Sequence, residues 1–186
     1  MNDYLVKKIG NIGLYVVQGD ITQIPADAIM TAINSEGMWF GGVDGAIQRV
    51  AGDQYHAQAA KNMPLHDLQT IVAKGKAQQH KGKFNNVVFV VDDLESSLDK
   101  VAYAGLEAAH QEGYKTLLLP AMRMGVMAGA VEKTPQETAA KLGQRISRFM
   151  QTYGTQTKLE NITLVVYQDP TAAKQLTTGL SKISLN

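Results

Sequence analysis

Short apolar runs that alternate with helical patterns are the strongest constraint in this sequence. Val87 to Val91 (VVFVV) is apolar without a break, as expected of a strand covered on both faces. Thr116 to Pro120 (TLLLP) and Ile162 to Tyr167 (ITLVVY) read the same way. Between the first two, Leu94, Leu98, Val101, Ala102, Gly105, Leu106 and Ala109 fall at three- and four-residue spacings. That pattern predicts an amphipathic helix, with Gly113 as its stop. Thr134-Pro135-Gln136-Glu137 predicts another helix start: a capping Thr, a Pro at the first turn and a Glu three residues on. Leu142, Ile146 and Phe149 form that helix's apolar stripe, and Gly154 ends it. Asp169-Pro170 opens a last helix to about Leu180. Earlier in the chain, strands are expected near Tyr4–Ile9, at Leu14–Val17 and at Ala28–Ile33. A helix is expected from Asp44 to about Ala60, then strands at Ile71–Gln79 and Asn86–Val91. The order defines an α/β fold.

No repeat or linker divides the 186 residues, so one domain over 1–186 is expected. The absence of cysteine excludes a disulfide scaffold, a thiol nucleophile and a thiolate zinc site. His56, His66, His80 and His110 have no metal-ligand spacing, and most are expected at the surface. No metal or cofactor is expected. With 18 Lys+Arg against 17 Asp+Glu, the chain offers no charge reason to bind duplex DNA or an anionic membrane. Residues 1–10 lack the apolar core of a signal peptide, so a soluble cytoplasmic protein is expected. An effector exported without a signal would read the same. The oligomeric state is not encoded in any pattern here.

Strands joined by helices place functional loops at the C-terminal ends of the strands. Three loops qualify: Gly19-Asp20-Ile21, Asn34 to Asp44, and Ala121 to Gly129. None contains G-x-G-x-x-G, a P-loop or G-x-S-x-G. Lys74, Lys76, Lys81 and Lys83 form a basic cluster, either a solvated hairpin or an anion-steering patch. Gly41-Gly42-Val43-Asp44-Gly45-Ala46 opens a helix, where glycines admit a close ligand and free N–H groups suit phosphate. Asp44 could be the N-cap there. Met122 to Gly129 (MRMGVMAG) could be a plain connection or an opposing phosphate wall, with Arg123 either clamping phosphate or facing solvent. Asp20 could accept from an exocyclic amine or close an Asx-turn on Thr22.

Together these segments resemble the macro domain family. The match runs through Leu14–Thr22 (LYVVQGDIT), Ala26–Ile29, Thr31–Asn34, Gly41–Gly52 (GGVDGAIQRVAG), Gly75–Ala77 and Thr116–Gly125 (TLLLPAMRMG), within residues 5–170. The resemblance implies a three-layer α/β/α sandwich with a mixed, largely parallel central sheet. It implies a site for ADP-ribose or a related nucleotide. Asp20 and the Ile21 backbone would meet adenine, with Tyr167 at its border or simply at the core edge. Gly41, Gly42, Val43 and Gly45 would form the first phosphate loop. Arg123, Met124, Gly125, Val126 and Met127 would lie along the second. Asn34 would orient the distal ribose. Asp44 would position or activate water, as in the hydrolytic members.

The chain also departs from the family. Thr31 stands for its first motif Asn, Trp39-Phe40 for glycines, Met127 for an aromatic, and Asp92-Asp93 for Gly-Pro. Three readings follow. The chain could hydrolyse ADP-ribosyl esters of proteins or of O-acetyl-ADP-ribose. It could read ADP-ribose without turnover. Or it could be a macro fold turned to RNA or protein contact, with Trp39-Phe40 blocking the groove.

Overall fold

The structure, a computed structural model, describes residues 3–37, 42–75, 80–123 and 131–182. The chain runs β1 (Asp3–Ile9), β2 (Ile12–Gln18), a 3₁₀ turn (Ile21–Gln23), β3 (Ala26–Ile33), α1 (Val43–Ala51) and α2 (His56–Ala60). It continues through β4 (Thr70–Lys74), β5 (Phe84–Val91), α3 (Leu98–Glu112), β6 (Thr116–Pro120), α4 (Pro135–Tyr153), β7 (Asn161–Val166) and α5 (Pro170–Ser181). One seven-stranded sheet has the order β1-β2-β7-β6-β3-β5-β4. Its inner neighbours are parallel, and β1 and β4 pair antiparallel at the edges.

Alternation along β3 explains the layers. Ala28 and Met30 point into a core shared with α3, α4 and α5. Ile29 and Ile33 point into a second core beneath α1 and α2. Successive side chains of a strand face opposite ways, so an unbroken apolar run needs helices on both sides. This is the three-layer α/β/α sandwich that the resemblance implied.

Local signals placed most element ends. Thr134 Oγ1 accepts from Glu137 N at 3.1 Å, with Pro135 in the first turn. The Glu137 carboxylate reaches back to Lys133 N at 2.9 Å. Asp169 caps α5 by accepting from Ala172 N at 3.0 Å. Gly113 ends α3 at φ +75°, a left-handed conformation that favours glycine.

Three boundaries differ from expectation by more than two residues. The helix expected from Asp44 to Ala60 is two helices, because Gly52 takes φ +64° and turns the chain after Ala51. Then α3 begins at Leu98, not Leu94, since Leu94 has φ +61° and cannot be helical. Finally, β4 ends at Lys74; of the strand expected to Gln79, residues 76–79 lie outside the described residues.

Gly105 shows how closely α3 sits on the sheet. A Cβ there would overlap Met30 Sδ and come within 3.2 Å of Val90 Cγ2, both fully buried residues. Gly105→Ala is therefore expected to destabilise the fold by about 1–3 kcal/mol through overpacking, despite alanine's better helix propensity. Urea denaturation checks this; a variant as stable as wild type would mean that α3 can lift off β3 freely.

Candidate functional site

The parallel strands β2, β7, β6, β3 and β5 all end on one edge of the sheet. The residues that follow them stand in spatial order as Asp20, Tyr167, Met122-Arg123, Asn34 and Asp92. Parallel sheets put binding crevices there.

At one end, Gly19 N donates to Val166 O at 3.0 Å and keeps the ends of β2 and β7 together. Asp20 then caps the 3₁₀ turn. Its Oδ1 accepts from Thr22 N at 2.9 Å and from Thr22 Oγ1 at 2.7 Å. The Asx-turn reading is thus correct, and both bonds fall on the same oxygen of an exposed side chain. The turn does not consume the carboxylate. Ile21 is buried. Tyr167 is 68% exposed, so it is not a core-edge tyrosine. It directly follows Val166, whose carbonyl accepts from Gly19 N.

In the middle lies the start of α1. Gly42 precedes it at φ +54°, ψ −111°, and a Cβ there would meet nothing within 4 Å. Glycine is required by the backbone angle, not by space. The first helical bond is Ala46 N to Gly42 O, 2.9 Å. The N–H groups of Val43, Asp44 and Gly45 precede it and have no intrahelical acceptor. A helix N-terminus with such donors favours an anion. Gly41 and Trp39-Phe40 lie outside the described residues.

Asp44 is not the N-cap. Gly42 holds that position, and Asp44 turns inward from the first turn, 1% exposed. Its Oδ1 meets Thr31 Oγ1 of β3 at 3.4 Å and His56 Nε2 of α2 at 3.3 Å. Both contacts are at the long end of the hydrogen-bond range. Asn34 follows β3, half-buried, where Asp92 N bonds Ile33 O at 2.7 Å and Ser35 N bonds Asp93 Oδ1 at 2.8 Å. A cleft of about 350 Å³ opens there, between Asn34-Ser35-Glu36 and Asp92 to Glu95.

Arg123 departs from both expectations. It neither faces solvent nor lies open to a phosphate; its side chain is 2% exposed. The guanidinium gives Nη1 to both Glu132 oxygens (2.8 and 3.1 Å), Nη2 to Asp92 Oδ1 and Ser96 O (both 2.8 Å), and Nε to Asp92 Oδ2 (3.3 Å). The guanidinium thus gives its N–H groups to two buried carboxylates and a backbone carbonyl. Glu132 also accepts Leu98 N at 2.9 Å and so caps α3 from another loop. Burial alone would push the Glu132 carboxyl up; the Arg123 hydrogen bonds and the Leu98 N–H outweigh it and hold it down at about 2. Of the second loop, Met124, Gly125, Val126 and Met127 lie outside the described residues.

Two residues of this region escaped the sequence reading. Most of the four histidines are expected at the surface, but His56 is 1% exposed, with its ring edge against Phe89 at 5.0 Å. Glu132 carried no motif at all. Neither had a local signal, because each acts on a partner from another element. Another cavity, of about 930 Å³, lies elsewhere, between α4 and α5. Its walls, such as Gln144, Arg148 and Lys174, are mostly exposed side chains of those two helices, and no buried charged group lines it. Among the described residues, no group of three or more His, Asp or Glu side chains is placed to hold a metal.

An α/β/α sandwich with a glycine-opened helix at the C-terminal edge of a parallel sheet defines a class of nucleotide-type sites. The macro domain family model matches residues 30–142, and the chain belongs to that family. The O-acetyl-ADP-ribose deacetylase of Klebsiella pneumoniae is 30% identical over 167 residues, covering 85% of this chain and 91% of that protein. An uncharacterized Aquifex aeolicus protein is 32% identical over 129 residues, covering 68% of this chain and 75% of that one. Among solved structures, a mutant macrodomain of Oceanobacillus iheyensis superposes with a TM-score of 0.77 at 20% identity, over 97% of this chain and 96% of that one. A Trypanosoma brucei macrodomain in complex with ADP-ribose gives 0.73 at 20% identity, over 89% and 68%.

Proposed function

We propose that this protein binds ADP-ribose along the C-terminal edge of its sheet and hydrolyses an ADP-ribosyl ester such as O-acetyl-ADP-ribose. The observation that carries this reading is the placement of Asp44. It is a buried carboxylate in the first turn of the helix whose N–H groups would hold the diphosphate. Support comes from the relatives named O-acetyl-ADP-ribose deacetylase and from the macrodomain solved with ADP-ribose.

In this reading adenine lies at the Asp20 end, stacked by Tyr167, with its amine given to the Asp20 carboxylate. The diphosphate sits over Val43–Gly45. The distal ribose reaches Asn34, whose amide orients its hydroxyls. Asp44 accepts a proton from the attacking water. Water adds to the acyl carbon, the acyl–oxygen bond breaks, and the departing ribose oxygen takes the proton back from Asp44, giving ADP-ribose and the free acid. The substrate's own phosphates already carry the negative charge, so the site needs backbone donors and one base.

A calorimetric titration with ADP-ribose, followed by a turnover assay with O-acetyl-ADP-ribose on the same sample, tests both halves. Saturable binding with release of acetate is expected. Absence of heat at millimolar ADP-ribose would reject the whole reading; binding without acetate release would leave a reader of ADP-ribose. Tyr167→Ala serves as a local check. Because the side chain is exposed, stability should be unchanged, while loss of base stacking should weaken ADP-ribose by about 1–3 kcal/mol. An unaltered affinity would move adenine away from Tyr167.

A further inference from the structure

We propose that His56 is a positioning residue for Asp44, holding one carboxylate oxygen so that the other faces the reacting water. The inference rests on the hydrolytic reading above and adds a residue that no motif marks.

The geometry is built by three local features. Gly52 turns the chain back after α1. Tyr55, fully buried, anchors the returning segment with its hydroxyl, which donates to Asn85 O at 3.0 Å and meets His80 Nε2 at 2.9 Å. Gly82 N donates to His80 Nδ1 at 3.0 Å, so the His80 proton sits on Nε2 and points at Tyr55. The next residue, His56, is thereby carried against the first turn of α1. In a single continuous helix, twelve residues would separate His56 and Asp44 by about 18 Å and about 120° around the axis. Here Nε2 and Oδ1 are 3.3 Å apart.

Both side chains are nearly inaccessible, at 1% and 2%. A buried carboxylate needs donors, and here they come from two elements, His56 on α2 and Thr31 on β3. Both fall on Oδ1; among the described residues, none falls on Oδ2. A carboxylate gripped by one oxygen cannot swing about its Cβ–Cγ bond, so the free oxygen keeps one direction. Phe89 fixes the imidazole plane in turn. Nε2 must carry a proton to make this bond.

The test separates orientation from mere packing. His56→Leu fills the site without the donor; His56→Gln restores an amide donor near the Nε2 position. Turnover of O-acetyl-ADP-ribose by His56→Leu is expected to fall about 10–100-fold in kcat, with KM and ADP-ribose affinity nearly unchanged. His56→Gln should recover most of that loss. Thr31→Val should add little to His56→Leu, because both donors serve one oxygen. A purely structural histidine predicts lower Tm with unchanged kcat in the folded protein, and that result would overturn the proposal. So would a His56→Gln variant as slow as His56→Leu. The ring ¹⁵N signals of His56 decide independently of turnover. Asp44→Asn should shift Nε2 more than Nδ1, and equal or absent shifts would overturn the pairing. A wild-type protein without esterase turnover but with the expected ¹⁵N response would sink the hydrolytic reading and not the pair.

Discussion

Asp44→Asn is expected to lower kcat for O-acetyl-ADP-ribose by about 10²–10⁴-fold, the usual contribution of one positioned base. Asparagine has nearly the same shape, and its amide oxygen can still accept from His56 and Thr31. What it cannot do is take a proton from water. Binding should respond in the opposite sense. The Asp44 carboxylate lies in the same helical turn as the N–H groups that would hold an anionic diphosphate. Removing its charge relieves repulsion with that ligand, so ADP-ribose affinity should be equal or tighter. Loss of turnover with preserved binding separates catalysis from recognition. A variant that keeps kcat within threefold of wild type would rule out Asp44 as the base.

The second large effect concerns stability. Arg123→Met should destabilise the protein by about 3–5 kcal/mol, because it strands two buried carboxylates, Asp92 and Glu132. For a chain of this size that corresponds to roughly 6–20 °C in Tm. Acid should narrow the gap. The Glu132 carboxyl is depressed from its ordinary 4.5 to about 2 in the folded protein. The stability it contributes is complete above pH 4.5 and is lost as pH falls from 4.5 toward 2. In Arg123→Met the main partner that lowers this carboxyl is gone, and protonation there costs the fold much less. Thermal melts of both proteins between pH 7 and pH 3 should therefore converge. Parallel curves would mean that Arg123 and Glu132 contribute little to each other. Lys141 also reaches Glu132, at 3.2 Å, but its ammonium is partly exposed and cannot replace a buried guanidinium.

These two predictions fall on residues whose roles were unevenly readable. The G-V-D-G-A stretch singled out Asp44, but Gly42 takes the N-cap position offered for it. The turn at Asp20 was readable, because its bond to Thr22 spans two residues of the chain. Arg123 was misread in both alternatives. Its partners stand 31 and 9 residues distant, and the Asp92 end of the pair looked only like a departure from a family pattern. His56 was hidden by the expectation of a continuous helix, which Gly52 interrupts.

Sequence alone determined what depends on short range. Apolar runs such as VVFVV announced buried strands. Thr134-Pro135 and Asp169-Pro170 announced helix starts, since a cap bonds an amide within three residues. Glycines before Asp44 announced a helix start. The tertiary structure decided which charges meet. Burial removes water as a partner, so Arg123, Asp92 and Glu132 must satisfy one another, and Asp44 must find His56 and Thr31. Those pairings depend on the strand order β6-β3-β5 and on one turn at Gly52, neither of which is written within reach of the residues it brings together.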